Sequence, residues 1–450
     1  MIKRTFEQIA LACGGTLNKK AETLKDNYIE GVSIDTRTIE TNNLFIPFKG
    51  ENVDGHRFID MAFDKGAALT LSEQDDMESS YPTILVEDGL KALQKISQVY
   101  LNEIAPKVVA VTGSNGKTTT KDMIECVLNK RYKVQKTIGN FNNEIGMPLT
   151  ILQLEADTEV SILEMGMDRL KDISFLSQLA KPDIAVITSV GESHIEMLGS
   201  RENIAKAKYE IVDELKDEGT FIYSKDYPLL ENIVKKDVPY TLKTAGLNEE
   251  NEALITDISA NGEGTQFTFK GEVVSIPQLG AHNALNASLA ILVAESLGVS
   301  LAESKANLEN LKVTTMRMER IEDKSGALII NDAYNASKAS MISAIDTMSQ
   351  LDYTNKILVL GDILELGSYS KELHEAVGHF INELPTDFTY IYTFGEHTEY
   401  IHNILETKNK MHIWTIEDLR DQVTEHLNKD TAILLKGSRG MALERVIQDR

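Results

Sequence analysis

Gly113, Gly116, Lys117 and Thr118 stand in the order G-S-N-G-K-T, a spacing that can hold phosphate. Glycines let backbone N–H groups close round an anion, a lysine places a point charge at the outer phosphates, and a threonine hydroxyl can ligate Mg²⁺. The longer P-loop pattern asks for a further glycine at position 111, where this chain has Val. The elements around the motif are those such a loop needs. Val108–Val111 is an unbroken apolar run, which predicts a strand buried on both faces. Beyond Thr120, Ile124, Val127 and Leu128 recur at helical spacing. A strand, a glycine turn and a helix opening on Lys-Thr predict nucleotide binding, because the positive end of the helix then faces the anion.

Other polar groups follow apolar runs, at the strand ends where a parallel sheet gathers its ligands. Asn140, Asn142 and Asn143 crowd a glycine-bounded loop in 137–150. Glu164 closes V-S-I-L-E, placed either to reach a metal at the phosphate loop or to cap the next helix. His194 follows D-I-A-V-I-T-S-V within G-E-S-H, as a functional or a structural histidine. Lys206 and Lys208, in A-K-A-K-Y-E, read on sequence alone as solvated helix lysines. His282, Asn283 and Asn286 open an apolar helix; the two asparagines share a face and can read an adenine edge or cap the helix. Later strand ends carry Asp332, Tyr334 and Asn335, then Asp362 and Glu365, then Lys436, Ser438 and Arg439. Ser33, Thr36 and Arg37, in S-I-D-T-R-T, read by themselves as an ordinary polar turn.

The 450 residues are enough for about three domains at roughly 150 residues each. Strand-like runs alternate with helical stretches both after residue 106 and after residue 313, which predicts a mostly parallel sheet in the first case and a parallel α/β sheet in the second. With 46 basic against 69 acidic residues the net charge is −23, which argues against nucleic acid or an anionic membrane as partner. Cys13 and Cys126 stand far apart, so no disulfide framework follows and a reducing, cytoplasmic setting fits. No run of about 18 apolar residues is present to span a membrane.

Taken together and in order, these clusters resemble the Mur ligases, ATP-dependent amide-forming enzymes of peptidoglycan assembly. The resemblance runs over essentially the whole chain. It is carried by D-T-R…L-F-I-P-F-K-G…D-G-H-x-F, T-G-S-N-G-K-T-T, G-N-x-N-N-E-I-G-x-P-L-T, G-E-x-H, A-K-x-E-I at 207–211 and H-N-x-x-N. Further on come D-x-Y-N-A at 332–336, G-D-x-x-E-L-G at 361–367 and K-G-S-R at 436–439. The short phosphate loop of that family accounts for Val111.

The resemblance implies a small N-terminal α/β domain for the UDP-sugar (1–105), a central P-loop ATPase-like parallel sheet for ATP (106–312) and a C-terminal Rossmann-like domain (313–450). It implies that ATP meets Gly113, Ser114, Asn115, Gly116, Lys117, Thr118, Thr119, His282, Asn283, Asn286, Arg317 and Asp332. Two Mg²⁺ ions would be held by Thr118 and Glu164 and by His194 and a carbamylated Lys208, with Lys117, His194 and Lys208 in catalytic roles. Ser33, Thr36, Arg37, Asn142, Asn143, Tyr334 and Asn335 would bind the substrates, a UDP-muramoyl tripeptide and D-alanyl-D-alanine, in a monomer. A folylpolyglutamate-synthase-like ligase would share the ATP machinery without D-T-R…D-G-H, and a GTPase-type switch would need an N-K-x-D that the chain lacks. Two departures stand out: Thr315-Met316 before Arg317, where the family has Gly-Arg, and Ser337-Lys338, where it has Asn-Pro. Neither is expected to touch the phosphate loop or the metal candidates.

Overall fold

The computed structural model describes all residues except 51–52, 75–76, 262, 313 and 448–450. The expected boundary at 312/313 therefore touches a residue outside the described set. The described strands form three main sheets and one small antiparallel pair, Lys3–Thr5 with Tyr28–Glu30.

The N-terminal sheet runs Thr16–Leu17, Thr83–Leu85, Leu69–Ser72, Leu44–Phe45, Val32–Ser33, parallel except for its first pairing. The helix Gly89–Ile104 leads out of it; Asp88 caps that helix by accepting from Lys91 N.

The central sheet is built on Lys107–Thr112, whose last five residues are buried, with Val160–Glu164 on one side and Ile184–Ile187 on the other. All three run parallel, and the register sets Val111 opposite Glu164 and Thr112 opposite Ile187. The phosphate loop, Glu164 and the segment 188–194 therefore leave the sheet at one edge. The helix Ala281–Ser296, buried along most of its length, packs against the phosphate-loop helix Lys117–Leu128. The central sheet is mostly parallel, as expected, and Ala253–Asn261, Gly264–Phe269 and Glu272–Ile276 add an antiparallel meander at one end. Half-buried strands alternate polar and apolar residues, so they lack the continuous apolar runs that mark the parallel strands.

The third sheet runs Glu319–Glu322, Leu328–Asp332, Thr431–Lys436, Asn355–Gly361, Tyr390–Phe394, Lys410–Ile413. It is parallel except at one edge, where its first strand is antiparallel to the second. The helix Lys338–Gln350, capped by Ser337, faces the central domain.

Candidate active site

The phosphate loop is braced from the segment after Ile187. Ser114 N donates to Ser189 O at 3.0 Å, Asn115 N to Ser189 Oγ at 2.8 Å, and Gly191 N to Ser114 Oγ at 2.8 Å. A Cβ on Gly113 would fall 1.9 Å from Thr188 Oγ1, and Gly116 sits in the left-handed region at φ +81 with Asn286 against it. Glycine is required at both. Gly116 offers no side-chain cap to the first-turn N–H groups of Lys117–Leu128. Lys117 Nζ donates to Gly113 O at 2.8 Å, holding its charge over the loop. Desolvation lowers its pKa, while Glu164 acts to raise it.

Glu164 is the buried acid of the site. Its Oε2 accepts from Thr118 Oγ1 at 3.1 Å and its Oε1 from Asn142 Nδ2 at 3.0 Å. The two expected oxygen donors for a metal are thus side by side, and both are hard ligands of the kind Mg²⁺ takes. Lys121, which the sequence reading did not single out, stands 3.4 Å from Glu164 Oε2.

His194 begins a short helix at φ +65, with Nδ1 3.3 Å from both Asp168 Oδ1 and Glu365 Oε2. Burial, then the charges of Lys117 and Lys208, lower its pKa to about 4, leaving the neutral imidazole that metals bind. Lys208 is 1% exposed, whereas Lys206 is exposed. Burial, assisted by Lys117, holds the Lys208 ammonium well below its ordinary pKa.

A cavity of about 190 Å³ lies over the loop, between the central and third domains. It is lined by Ser114 to Thr119, His282, Asn283, Asn286, Arg317, Asp332, Asn335 and Lys436. The two readings of the asparagines coexist: Asn283 Nδ2 donates to Leu279 O as Asn286 Nδ2 donates to Asn283 Oδ1, and both line the cavity. His282 Nδ1 meets Ser343 Oγ at 2.6 Å. Asp332 pairs with buried Lys436 at 2.7 Å and accepts from Met318 N at 3.1 Å, so its carboxylate also orders the hinge. Gln278 Oε1 and Arg317 Nε are buried in this lining without a hydrogen-bond partner among the described residues, an unmet polar demand suited to a polar ligand. Gln278 carried no signal in the sequence beyond a polar residue before L-G-A-H-N.

A second cavity, of about 580 Å³, is lined by Leu90 and Gln94 of the first domain and by Asn140, Asn142, Asn143, Asp168 and Arg169. Lys117 belongs to both cavities, and His194 to the second and to a third of about 100 Å³. That third cavity is lined from the C-terminal domain by Asn335, Glu365, Ser438 and Arg439. Ser33, Thr36 and Arg37 line none of the three; Ser33 is held within its own turn and Arg37 is paired with Asp35. Tyr334 lies beneath the Arg317 guanidinium, 4.1 Å from ring centroid to Cζ.

One of the two departures, Ser337-Lys338, does reach the site, against expectation. Ser337 Oγ donates to Asn115 Oδ1 at 3.1 Å, and Lys338 Nζ pairs with Glu192 at 2.8 Å. Arg317, next to Met316, donates to Thr118 Oγ1 at 3.3 Å. These contacts cross between domains, so adjacency along the chain could not reveal them.

Fold and site together define a three-domain enzyme built round a phosphate loop, with a cavity over that loop sharing Lys117 with a second, larger one. The Mur ligase catalytic, middle and glutamate ligase domain models match residues 28–111, 111–294 and 316–439, and the chain belongs to the Mur ligase family. It is 45% identical, over its whole length and 98% of the relative, to the UDP-N-acetylmuramoyl-tripeptide–D-alanyl-D-alanine ligase of Bacillus subtilis. It is 30% identical to the Escherichia coli enzyme of that name, over its whole length and 98% of the relative. Among solved structures it is similar to MurF from Acinetobacter baumannii, with TM-score 0.89 at 26% identity, covering 100% of this chain and 99% of that one. It is also similar to MurF from Thermotoga maritima in complex with ADP, with TM-score 0.83 at 30% identity, covering 93% and 96%. The chain is an ATP-dependent ligase.

Proposed function

We propose that this chain joins D-alanyl-D-alanine to UDP-N-acetylmuramoyl tripeptide, giving the UDP-linked pentapeptide, ADP and phosphate during cytoplasmic assembly of peptidoglycan precursors. The observation that carries this reading is the position of Lys117, shared by the nucleotide cavity and the larger second cavity. An acceptor carboxylate in the second cavity meets the γ-phosphate at that lysine. Its oxygen attacks phosphorus, ADP leaves, and an acyl phosphate forms. The free amine then attacks the acyl carbon, loses a proton, and phosphate departs. Asn335, Glu365 and Arg439 stand where the amine would approach, beside His194.

Carboxylate and ATP repel one another, and Lys117 and Arg317 offset that repulsion from the phosphate side. Mg²⁺, when bound, supplies further neutralisation of the transferred phosphoryl group. Thr118 and Glu164 would hold one ion, a reading supported by their 3.1 Å contact. His194 and Lys208 would hold the other once Lys208 has added CO₂ and lost a proton to become a carbamate. The 1% exposure of Lys208 and its depressed pKa support this, because the neutral amine is the form that reacts. We assign 1–105 to the UDP-sugar, 106–312 to ATP and 313–450 to the amine. No helix among the described residues is long and apolar enough to cross a membrane.

The test is phosphate release against a panel of UDP-muramoyl peptides and amines. Release is expected only when tripeptide acceptor and D-alanyl-D-alanine are both present, and Lys117→Ala should lower it by about 10²–10³. Equal release with nucleotide alone, or near-normal ligation by that variant, would overturn the reading.

A further inference from the structure

Lys121 lies one turn beyond Lys117 on the phosphate-loop helix, yet it is only 2% exposed. Its ammonium donates to Thr137 O at 2.7 Å and stands 3.4 Å from Glu164 Oε2. Thr137 is tied in turn to the strand that carries Glu164. Its hydroxyl accepts from Glu164 N at 3.0 Å, and its own N–H donates to Ile162 O at 2.9 Å. Lys121 is therefore a fixed charge, with no room to swing away from the carboxylate. Arg317 differs, reaching Thr118 Oγ1 at 3.3 Å from the segment that joins the central and third domains.

A cation this close to a carboxylate in a water-poor site weakens the hold of that carboxylate on a second cation. We propose that Lys121 is a positioning residue whose fixed charge tempers Glu164, so that a divalent ion is retained strongly only together with nucleotide phosphates. The phosphates bring the negative charge that offsets Lys121, and the ion and the nucleotide then enter as one unit. The proposal rests on the nucleotide and metal part of the ligase reading and on no choice of acceptor or amine.

The test measures ADP binding to the full chain by calorimetry, in EDTA and in Mg²⁺. The ratio of the two dissociation constants reports the coupling between ion and nucleotide. In Lys121→Gln, which drops the charge and keeps an amide donor, free Glu164 should hold Mg²⁺ more tightly without nucleotide, and the ratio measured at saturating Mg²⁺ should fall severalfold. Lys121→Met should give the same direction without the amide. In a Glu164→Gln background, Lys121→Gln should leave the ratio unchanged, because the charge acts through that carboxylate. A merely structural lysine would lower affinity in both conditions and leave the ratio alone. An unchanged or larger ratio in both single variants, or a shift that persists without Glu164, would overturn the proposal. ADP binding needs neither acceptor nor amine, so this outcome is read separately from the ligation assay.

Discussion

Lys206 and Lys208 are two residues apart on Arg201–Tyr209, and the helix sends one to solvent and the other into the core. Burial of an unmodified ammonium is costly, and that desolvation holds the Lys208 pKa well below its ordinary value. Lys208→Ala should abolish ligation, whereas Lys206→Ala should leave it within about twofold, as expected of a solvated surface lysine. Holding the enzyme free of CO₂ at mildly acidic pH should lower the rate, and bicarbonate should restore it. Essential Lys206 with dispensable Lys208 would refute the assignment. Much of this scale was legible in sequence. Lys117, Thr118 and Glu164 advertise themselves because a glycine turn and a buried strand end are local patterns. Lys121, Gln278 and Ser189 do not, because each acts through a partner that only the tertiary fold brings near.

Arg317 sits in a turn whose flanking residues, Met316 at φ +62 and Met318 at φ +49, are both left-handed. Each costs roughly 1–2 kcal/mol relative to ordinary backbone. The turn is held from outside: Thr314 donates to Asp122 at 2.9 and 2.8 Å, Met318 N to Asp332, and Gln278 Nε2 to Arg317 O at 3.0 Å. Strain so over-determined aims the guanidinium between Tyr334 and Thr118. Met316→Gly fits the same backbone and should keep ATP KM near that of the unmodified chain. Met316→Val, branched at Cβ, should raise ATP KM severalfold and lower the melting temperature in calorimetry. Equal KM values for the two variants would show that the turn does not place Arg317. Methionine gives no hint of a positive φ, so sequence marked this place only as a departure. The strands were legible where apolar runs were continuous, as at Leu328–Asp332, and silent in the amphipathic meander after Thr241.

Three side chains at or near the start of Lys338–Gln350 reach two loops and one helix of the central domain. Ser337 meets Asn115, Lys338 meets Glu192, and Ser343 meets His282. One helix thus sets the third domain over the nucleotide cavity. Glu192, 5% exposed at its side chain, is also paired with Arg201, so Lys338→Met does not leave a bare buried charge. The loss should be about 1 kcal/mol or less, as for a partly solvated ion pair. Small-angle scattering should show a larger radius of gyration for that variant, and moderate salt should move the unmodified chain the same way. Identical scattering at all salt concentrations would remove Lys338 from domain closure.

Because Lys117 forms a wall common to two cavities, those cavities are also near neighbours for any synthetic molecule. A fragment seated over the loop and another among Asn140, Asn142 and Asn143 can be joined by a short tether passing that lysine. The second binding event then becomes intramolecular, with an effective concentration in the millimolar range for a short flexible link. Two weak fragments would become one tight inhibitor, and a tether too short to pass Lys117 would lose the whole gain.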